Sequence, residues 1–136
     1  MPISLSETAR KILDGRNPAV LATINPDGSP QTSVVWVGRD GDDLLISTAA
    51  GRRKVRNIAR EARVSLTAYD KDDPEQYVEI RGLAAVSEDP GRQLAVSLAE
   101  RYEGPGAGRE YLELPPEVVR VVIRVTPLRT AGTASG

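Results

Sequence analysis

The sequence contains no cysteine, no histidine and no phenylalanine, and Trp36 is its single tryptophan. Without cysteine there are no disulfide bonds, thiolate nucleophiles or cysteine-rich metal sites. Without histidine the chain lacks the most common general base and the most common transition-metal ligand. These absences exclude histidine-dependent nucleophilic catalysis and ordinary zinc catalysis, and we predict no metal site. Because phenylalanine is missing, aliphatic residues must build the core.

Neither sign of charge dominates, since 18 lysines and arginines face 19 aspartates and glutamates, for a net charge of -1. Such a balance argues against electrostatic attraction of the whole protein to nucleic acid or membrane, so any anion site must be local. No apolar run is long enough to span a membrane or typical of a leader segment. We therefore expect one cytoplasmic domain over residues 1–136, with no nucleic-acid or membrane partner.

Short aliphatic runs between turn signals predict six strands. They lie at residues 19–24, 30–38, 43–49, 62–69, 77–87 and 118–127. The strand at 77–87 alternates, which predicts Val78 and Ile80 on one face and Tyr77, Glu79 and Arg81 on the other. The turns "NPDGSP" and "RDGD" predict that the first three strands form an antiparallel meander. With helices confined to the gaps, the predicted fold class is mainly β with flanking helices, arranged as a small barrel because closure removes exposed sheet edges.

Three helices are predicted around these strands. The first begins at a capping box formed by Ser4 and Glu7 and ends at Gly15. The second carries apolar residues at helical spacing within the basic stretch that follows the third strand. The third opens at Asp89 and continues to Tyr102. The acidic stretch "DKDDPEQ" and the Gly/Pro-rich stretch "EGPGAGREYLELPPE" are predicted to be loops.

The stretch "TAAGRRKVRNIAR", residues 48–60, concentrates five basic residues at the junction of a predicted strand and helix. A helix N-terminus offers unpaired N–H groups and the positive end of the helix dipole, which together bind anions. Arginine suits bidentate recognition of phosphate, and lysine adds a point charge. Two other interpretations are a solvated helix face and a nucleic-acid patch, although the rest of the chain adds neither basic surface nor an aromatic platform.

Four segments occur in an order and at strand positions that match a known family. They are "GRNPAVLATINPDGSPQTSVVWV", "LLISTAAGRRKVRNIARE", "RVSLTAYDKDD" and "YVEIRGLAAVSED". With these segments the chain resembles the split β-barrel family of pyridoxamine 5'-phosphate oxidase-like flavin and deazaflavin proteins, and within it the small reductases that use coenzyme F420. The resemblance implies a split β-barrel of six antiparallel strands and favours the phosphate interpretation of the basic stretch.

The resemblance also implies a cofactor site. Its phosphate would be held by Arg52, Lys54 and Asn57, with Arg53 and Arg56 close by. The end of the preceding strand would line the ribityl chain or the phosphate, through Ser47 and Thr48. The second strand would lie along the tricyclic ring, through Gln31, Ser33 and Val34. Family sites form between two subunits, so a homodimer is implied in which Tyr77 and Arg81 come from the partner chain.

The function that the resemblance implies is hydride transfer from reduced coenzyme F420 to an electron-poor C=C bond or a related planar acceptor. FMN is the alternative cofactor because it also carries a ribityl phosphate, and a non-catalytic F420 carrier is a third hypothesis. No catalytic residue is identified. Trp36 either flanks the ring pocket or fills the core or a dimer interface, and Arg120 and Arg124 are interpreted as solvated strand positions.

Overall fold

The computed structural model describes residues 2–136. Its seven strands are β1 (Ala19–Ile24), β2 (Pro30–Val35), β3 (Gly38–Asp40), β4 (Asp43–Ala49), β5 (Arg63–Asp70), β6 (Asp73–Glu88) and β7 (Arg120–Ala131). The α-helices of the described residues are α1 (Glu7–Asp14), α2 (Arg53–Arg60), α3 (Gln93–Glu103) and α4 (Arg109–Leu112), with a 3-10 turn at Pro90–Arg92. The predicted class, mainly antiparallel sheet with flanking helices, is confirmed, but the sheet has seven strands rather than six.

The additional strand arises because residues 30–38 do not form one continuous strand. The chain leaves the sheet at Trp36 and Val37, and β3 then pairs with β4. Trp36 stacks on the Tyr102 ring of α3 with ring centroids 5.4 Å apart. The Val37 N–H donates to the Tyr102 hydroxyl over 3.2 Å, and the Val37 carbonyl accepts from Arg101. These bonds to side chains of α3 replace the strand pairing that the sequence predicted here.

The strand order in the sheet is β2-β1-β5-β6-β7-β4-β3, and every neighbouring pair is antiparallel. Both predicted hairpin turns are present, since β1 pairs with β2 and β3 pairs with β4. The continuous three-stranded meander is wrong, because β4 pairs with β7 and β3 and not with β2. The two strands at the ends of this order, β2 and β3, are joined by only Trp36 and Val37. Such a link spans roughly 10 Å, so the sheet must curl until its two edges lie close together. This closure produces the barrel.

The core inside the barrel is aliphatic, as the lack of phenylalanine predicted. Its largest fully buried side chains include Leu13, Leu21, Leu44, Ile46, Leu66, Ile80 and Ile123. On β6, Val78 and Ile80 face this core while Tyr77 and Arg81 face outward, which confirms the predicted alternation. Alternation of this kind follows from the two-residue repeat of a strand.

Local boundaries differ from the predictions at several places, including helix α3, which begins at Gln93 after the 3-10 turn and not at Asp89. Helix α1 is capped by Ser6, whose hydroxyl accepts from the Ala9 N–H, and not by Ser4, although it ends at Gly15 as predicted. The predicted acidic loop contracts to a turn at residues 71–72, because β6 already begins at Asp73. The Gly/Pro-rich stretch contains the short helix α4.

Strands β6 and β7 approach each other unusually closely at Gly82. Their register shifts between Arg81 and Gly82, and the Gly82 backbone lies against residues 125–126 of β7. A Cβ atom placed on Gly82 would overlap the carbonyl oxygen of Thr126. Glycine is therefore required here by space, at an irregular position of the kind where strand glycines are found.

Candidate functional site

A cavity of about 350 Å³ opens at the N-terminus of α2, between that helix, strands β2 and β4, and the start of β7. Its basic lining consists of Arg52, Lys54 and Arg120. Its hydroxyl-bearing lining consists of Ser47 and Thr48. The remaining wall is apolar or aromatic and is formed by Val34, Val35, Trp36, Ala95, Leu98 and Tyr111. The cavity therefore combines a positively charged end with an apolar wall.

The turn between β4 and α2 delivers two of these cations. Gly51 has a φ of 89°, a left-handed conformation that glycine adopts readily. Arg52 then occupies the N-cap of α2 and makes no side-chain capping bond, so the cap supplies no acceptor to the first-turn N–H groups. Lys54 is half-buried, and its Nζ donates to the Ser33 Oγ of β2 over 3.1 Å. Arg52 and Lys54, which were predicted to hold a cofactor phosphate, both line the cavity.

The third cation, Arg120, was interpreted from the sequence as a solvated strand residue. The structure places it in the cavity because β7 pairs with β4, which sets Arg120 opposite Ala49. Its Nη2 donates to Ser47 Oγ over 2.9 Å, and its Cζ lies 5.1 Å from the centroid of the Tyr111 ring. The sequence does show an arginine at the start of a long predicted strand. Its place in the cavity could not be predicted, because it depends on the pairing of β7 with the distant strand β4.

The positive charges of Arg52, Lys54 and Arg120 repel one another across the cavity. Burial lowers the pKa of the Lys54 ammonium, and the positive charges of Arg52 and Arg120 lower that pKa further. Burial also lowers the pKa of Arg120. Within residues 2–136, none of the three forms an ion pair with a carboxylate. Partly desolvated positive charge without a counterion favours an anion, so these donors fit a phosphate group.

This electrostatic arrangement predicts how anion binding depends on pH. Lys54 must be protonated to bind an anion, and its pKa in the ligand-free protein lies below that of an ordinary lysine. Affinity for inorganic phosphate should therefore fall as the pH rises through this lowered pKa, before the range near 10.4 where lysine usually titrates. An Arg120→Ala variant, which lacks one of the neighbouring positive charges, should show the same fall at higher pH. Calorimetric titration with phosphate between about pH 7 and pH 10.5 measures both curves.

The other predicted phosphate residues take different positions. Arg53 and Arg56 are exposed, and neither lines the cavity. Asn57 is completely buried, and its Nδ2 donates to Thr23 Oγ1 and to Asn25 Oδ1, each over 3.0 Å. Both amide hydrogens are thus used between α2 and β1, and no donor remains for a phosphate. In this structure Asn57 attaches α2 to the sheet instead of facing the cavity.

Of the predicted ring-contact residues on β2, two lie at or beside the cavity and one does not. Val34 lines the cavity and is 76% exposed, and Ser33 contacts Lys54. Gln31 instead accepts a hydrogen bond from Thr23 Oγ1 over 2.8 Å and does not line the cavity. Trp36 is half-buried, lines the cavity and stacks on Tyr102.

Tyr77 and Arg81, predicted to act from a second subunit, lie on the outer face of β6 and do not line the cavity of their own chain. Arg81 Nε pairs with Glu79 Oε1 over 3.0 Å, and Arg81 borders a second, mainly apolar cavity of about 410 Å³.

Within residues 2–136, no three acidic, histidine or cysteine side chains cluster so that they could hold a metal ion. In the same part of the chain, every helix is too short or too polar to cross a membrane.

Comparison with known proteins identifies the family. The sequence profile described as pyridoxamine 5'-phosphate oxidase matches residues 5–133. A solved F420 reductase is 30% identical, with a TM-score of 0.77 over 93% of this chain and 98% of that one. A conserved hypothetical protein from Mycobacterium tuberculosis is 28% identical, with a TM-score of 0.75 over 95% and 84%. The haem storage protein HutZ from Vibrio cholerae shares the fold, with a TM-score of 0.67 over 96% and 95% of the chains at 15% identity. The chain therefore belongs to the pyridoxamine 5'-phosphate oxidase-like split-barrel family of proteins related to flavin and deazaflavin oxidoreductases.

Proposed function

We propose that the protein is a cytoplasmic reductase that uses coenzyme F420 to reduce an electron-poor C=C bond or a related planar acceptor. The observation that carries this proposal is the group of three cations around one cavity, Arg52, Lys54 and Arg120, which have no carboxylate partner within the described residues. A ribityl phosphate supplies the missing negative charge. The apolar wall beside these cations suits an organic ligand better than a free inorganic anion.

The residues of this chain would bind and orient the cofactor. Arg52 and Lys54 attract the phosphate, and Ser47 and Thr48 offer hydroxyl groups to its oxygens or to the ribityl chain. Val34 and the adjoining backbone of β2 provide a flat edge for the ring. When bound, reduced F420 supplies a hydride, and the protein contributes position, exclusion of water and electrostatics. This division of labour suits a chain that has neither histidine nor cysteine.

Coenzyme F420 is preferred to FMN because of the structural comparison. The F420 reductase matches nearly the whole of both chains at 30% identity. FMN is the second candidate, since the matching family profile is that of pyridoxamine 5'-phosphate oxidase. The cation group alone does not separate the two cofactors, because each carries a phosphate on a ribityl chain.

We further propose that the working unit is a homodimer. The cavity is open along β2, where Val34 is 76% exposed. On the other side of the barrel, Tyr77 and Leu83 of β6 are also exposed, at 39% and 47%. Apolar surface of this kind favours a protein partner. In the proposed dimer, Tyr77 and Arg81 of a second copy cover the cofactor ring.

Titration of the protein with F420 and, separately, with FMN tests the choice of cofactor. We expect F420 to bind more tightly, with a change in its fluorescence, and we expect binding to weaken as salt rises because a partly exposed phosphate pair is screened. The same titration in an analytical ultracentrifuge reports the dimer. Tight binding of FMN without binding of F420 would overturn the proposed cofactor.

A turnover assay separates the reductase from a cofactor carrier. Reduced F420 is mixed with the protein and a panel of quinones, enones and tetrapyrroles, and its oxidation is followed by absorbance. Protein-dependent oxidation with at least one acceptor is the expected result. If reduced F420 stays bound and unoxidised across the panel, the protein is a carrier.

A further inference from the structure

Arg120 has hydrogen-bonding capacity that the protein itself does not use. Its Nη2 donates to Ser47, while within residues 2–136 neither the Nη1 nor the buried Nε makes a hydrogen bond. Leaving a buried N–H of a charged group unpaired is costly. By contrast, Arg124, four residues along the same strand, is paired over 3.1 Å with each of two carboxylates, from Asp40 and Asp43. The two arginines therefore differ in their partners, although strand periodicity places both on the same face of β7.

A second arginine holds the segment that covers Arg120. The Arg92 guanidinium donates four hydrogen bonds to backbone carbonyl groups, those of Tyr111, Leu114, Pro115 and Val118, over 2.7 to 2.9 Å. Arg92 also has a φ of 56°, and among the described residues it alone is a non-glycine with a positive φ. Residues held in this unfavourable conformation often serve a specific structural or functional purpose.

The four bonds of Arg92 have a direct consequence for the cavity. The bonded carbonyls belong to the connection between α3 and β7, and Tyr111 of this connection lies with its ring against the Arg120 guanidinium. The ring limits the directions that the guanidinium can take, and an aromatic face also stabilises a cation. Arg92 thereby fixes Tyr111, and Tyr111 holds Arg120 toward the cavity.

We infer that Arg120 is an anion-binding residue of the cavity, presenting the unpaired Nη1 of its guanidinium to a phosphate oxygen, and that Arg92 is a positioning residue that acts on it through Tyr111. This inference deepens the proposed function, because it rests on the cofactor phosphate being the anion. A guanidinium offers several donors in one plane, so a single arginine can bond to a phosphate while keeping its bond to Ser47.

The first experiment measures binding of F420 and of inorganic phosphate to Arg120→Ala, with Arg124→Ala as the matched control from the same strand. Loss of a charge-assisted hydrogen bond predicts roughly ten- to hundred-fold weaker binding for Arg120→Ala and less than about a two-fold change for Arg124→Ala. Circular dichroism and thermal unfolding establish that both variants fold. If Arg120→Ala does not fold, Arg120→Lys keeps the charge without the planar fork and should still bind several-fold more weakly.

The second experiment tests the positioning role of Arg92. Arg92→Ala and Tyr111→Leu should each weaken F420 binding several-fold, whereas Tyr111→Phe, which retains the ring, should weaken it less than Tyr111→Leu. The double variant Arg92→Ala/Arg120→Ala should bind no more weakly than Arg120→Ala, because residues that act through one another are not additive. Arg92→Lys should behave like Arg92→Ala, since it keeps the charge but not the four bonds. Full rescue by lysine, or additive losses in the double variant, would overturn the positioning role.

The outcomes separate this inference from the proposed function. If Lys54→Ala loses F420 binding while Arg120→Ala binds as tightly as the unmodified protein, the inference about Arg120 is wrong and the proposed cofactor site stands. If neither F420 nor FMN binds but phosphate binding still depends on Arg120, the anion-binding role of Arg120 stands and the proposed function is wrong.

Discussion

Replacement of Lys54 by alanine should weaken F420 binding by about 1.5 to 3 kcal/mol, the range for a hydrogen bond that involves a charged group. Lys54 faces the cavity beside two other cations, and its ammonium is partly shielded from water. A phosphate would relieve both the desolvation of this charge and its repulsion by Arg52 and Arg120. Loss of the ammonium removes a favourable contact that solvent does not replace. Fluorescence titration with F420 measures the effect.

The control for this prediction is Arg124→Ala, which removes one positive charge at a site already paired with Asp40 and Asp43. Arg124 is exposed enough that its ion pairs contribute little to stability, so cofactor affinity should change little. Comparable losses in the two variants would mean that net charge, and not a localised site, controls binding. The cavity at the start of α2 would then be the wrong location.

Replacement of Gly82 by valine should destabilise the fold by about 3 kcal/mol or more, because overpacking of a close backbone contact forces the strands apart. The added Cβ would overlap the Thr126 carbonyl of β7, and backbone held in a sheet cannot move aside as a flexible side chain can. Domains of this size are stable by only about 5 to 15 kcal/mol. Urea unfolding followed by circular dichroism gives the difference in the free energy of unfolding.

The matched control for Gly82 is Ala85→Val, on the same strand but at an exposed position. Valine is favoured over alanine in strands, so the free energy of unfolding should change by less than about 1 kcal/mol. A Gly82→Val variant as stable as the Ala85→Val variant would show that β6 and β7 separate at low cost, contrary to the close approach in the structure.

The local features of the fold could be predicted from the sequence. The strands at residues 19–24 and 43–49 have their predicted bounds, and the burial of Val78 and Ile80 follows the predicted alternation. These features depend on neighbouring residues, whose periodicity and turn signals are visible in the sequence. The two hairpin turns were predicted correctly. The continuous meander was not found, because the sheet partner of β4 besides β3 is β7, more than seventy residues along the chain. Turn signals report the ends of strands but not their distant partners.

The residues of the candidate site also differ in whether their positions depend on neighbouring residues or on distant strand pairing. Arg52 and Lys54 were predictable because the charged turn itself places them at the cavity. Arg120 was not, since its place depends on the pairing of β7 with β4. Asn57 differs for another reason, because a helical residue directed at the sheet uses its donors on nearby strand residues before it can reach a ligand.

The cavity has a further consequence through its place at the junction of the two sheet edges. Lys54 contacts Ser33 on β2, at one end of the strand order, while Ser47 and Thr48 belong to β4, near the other end. A molecule bound there would contact the edge strand β2 and also β4, which lies next to the other edge strand, β3. Among the described residues, no backbone ladder joins β2 to β3. Binding there would favour closure of the barrel, so we expect the melting temperature to rise with the concentration of free ligand. A molecule bound in the cavity would thus also stabilise the closed form of the barrel.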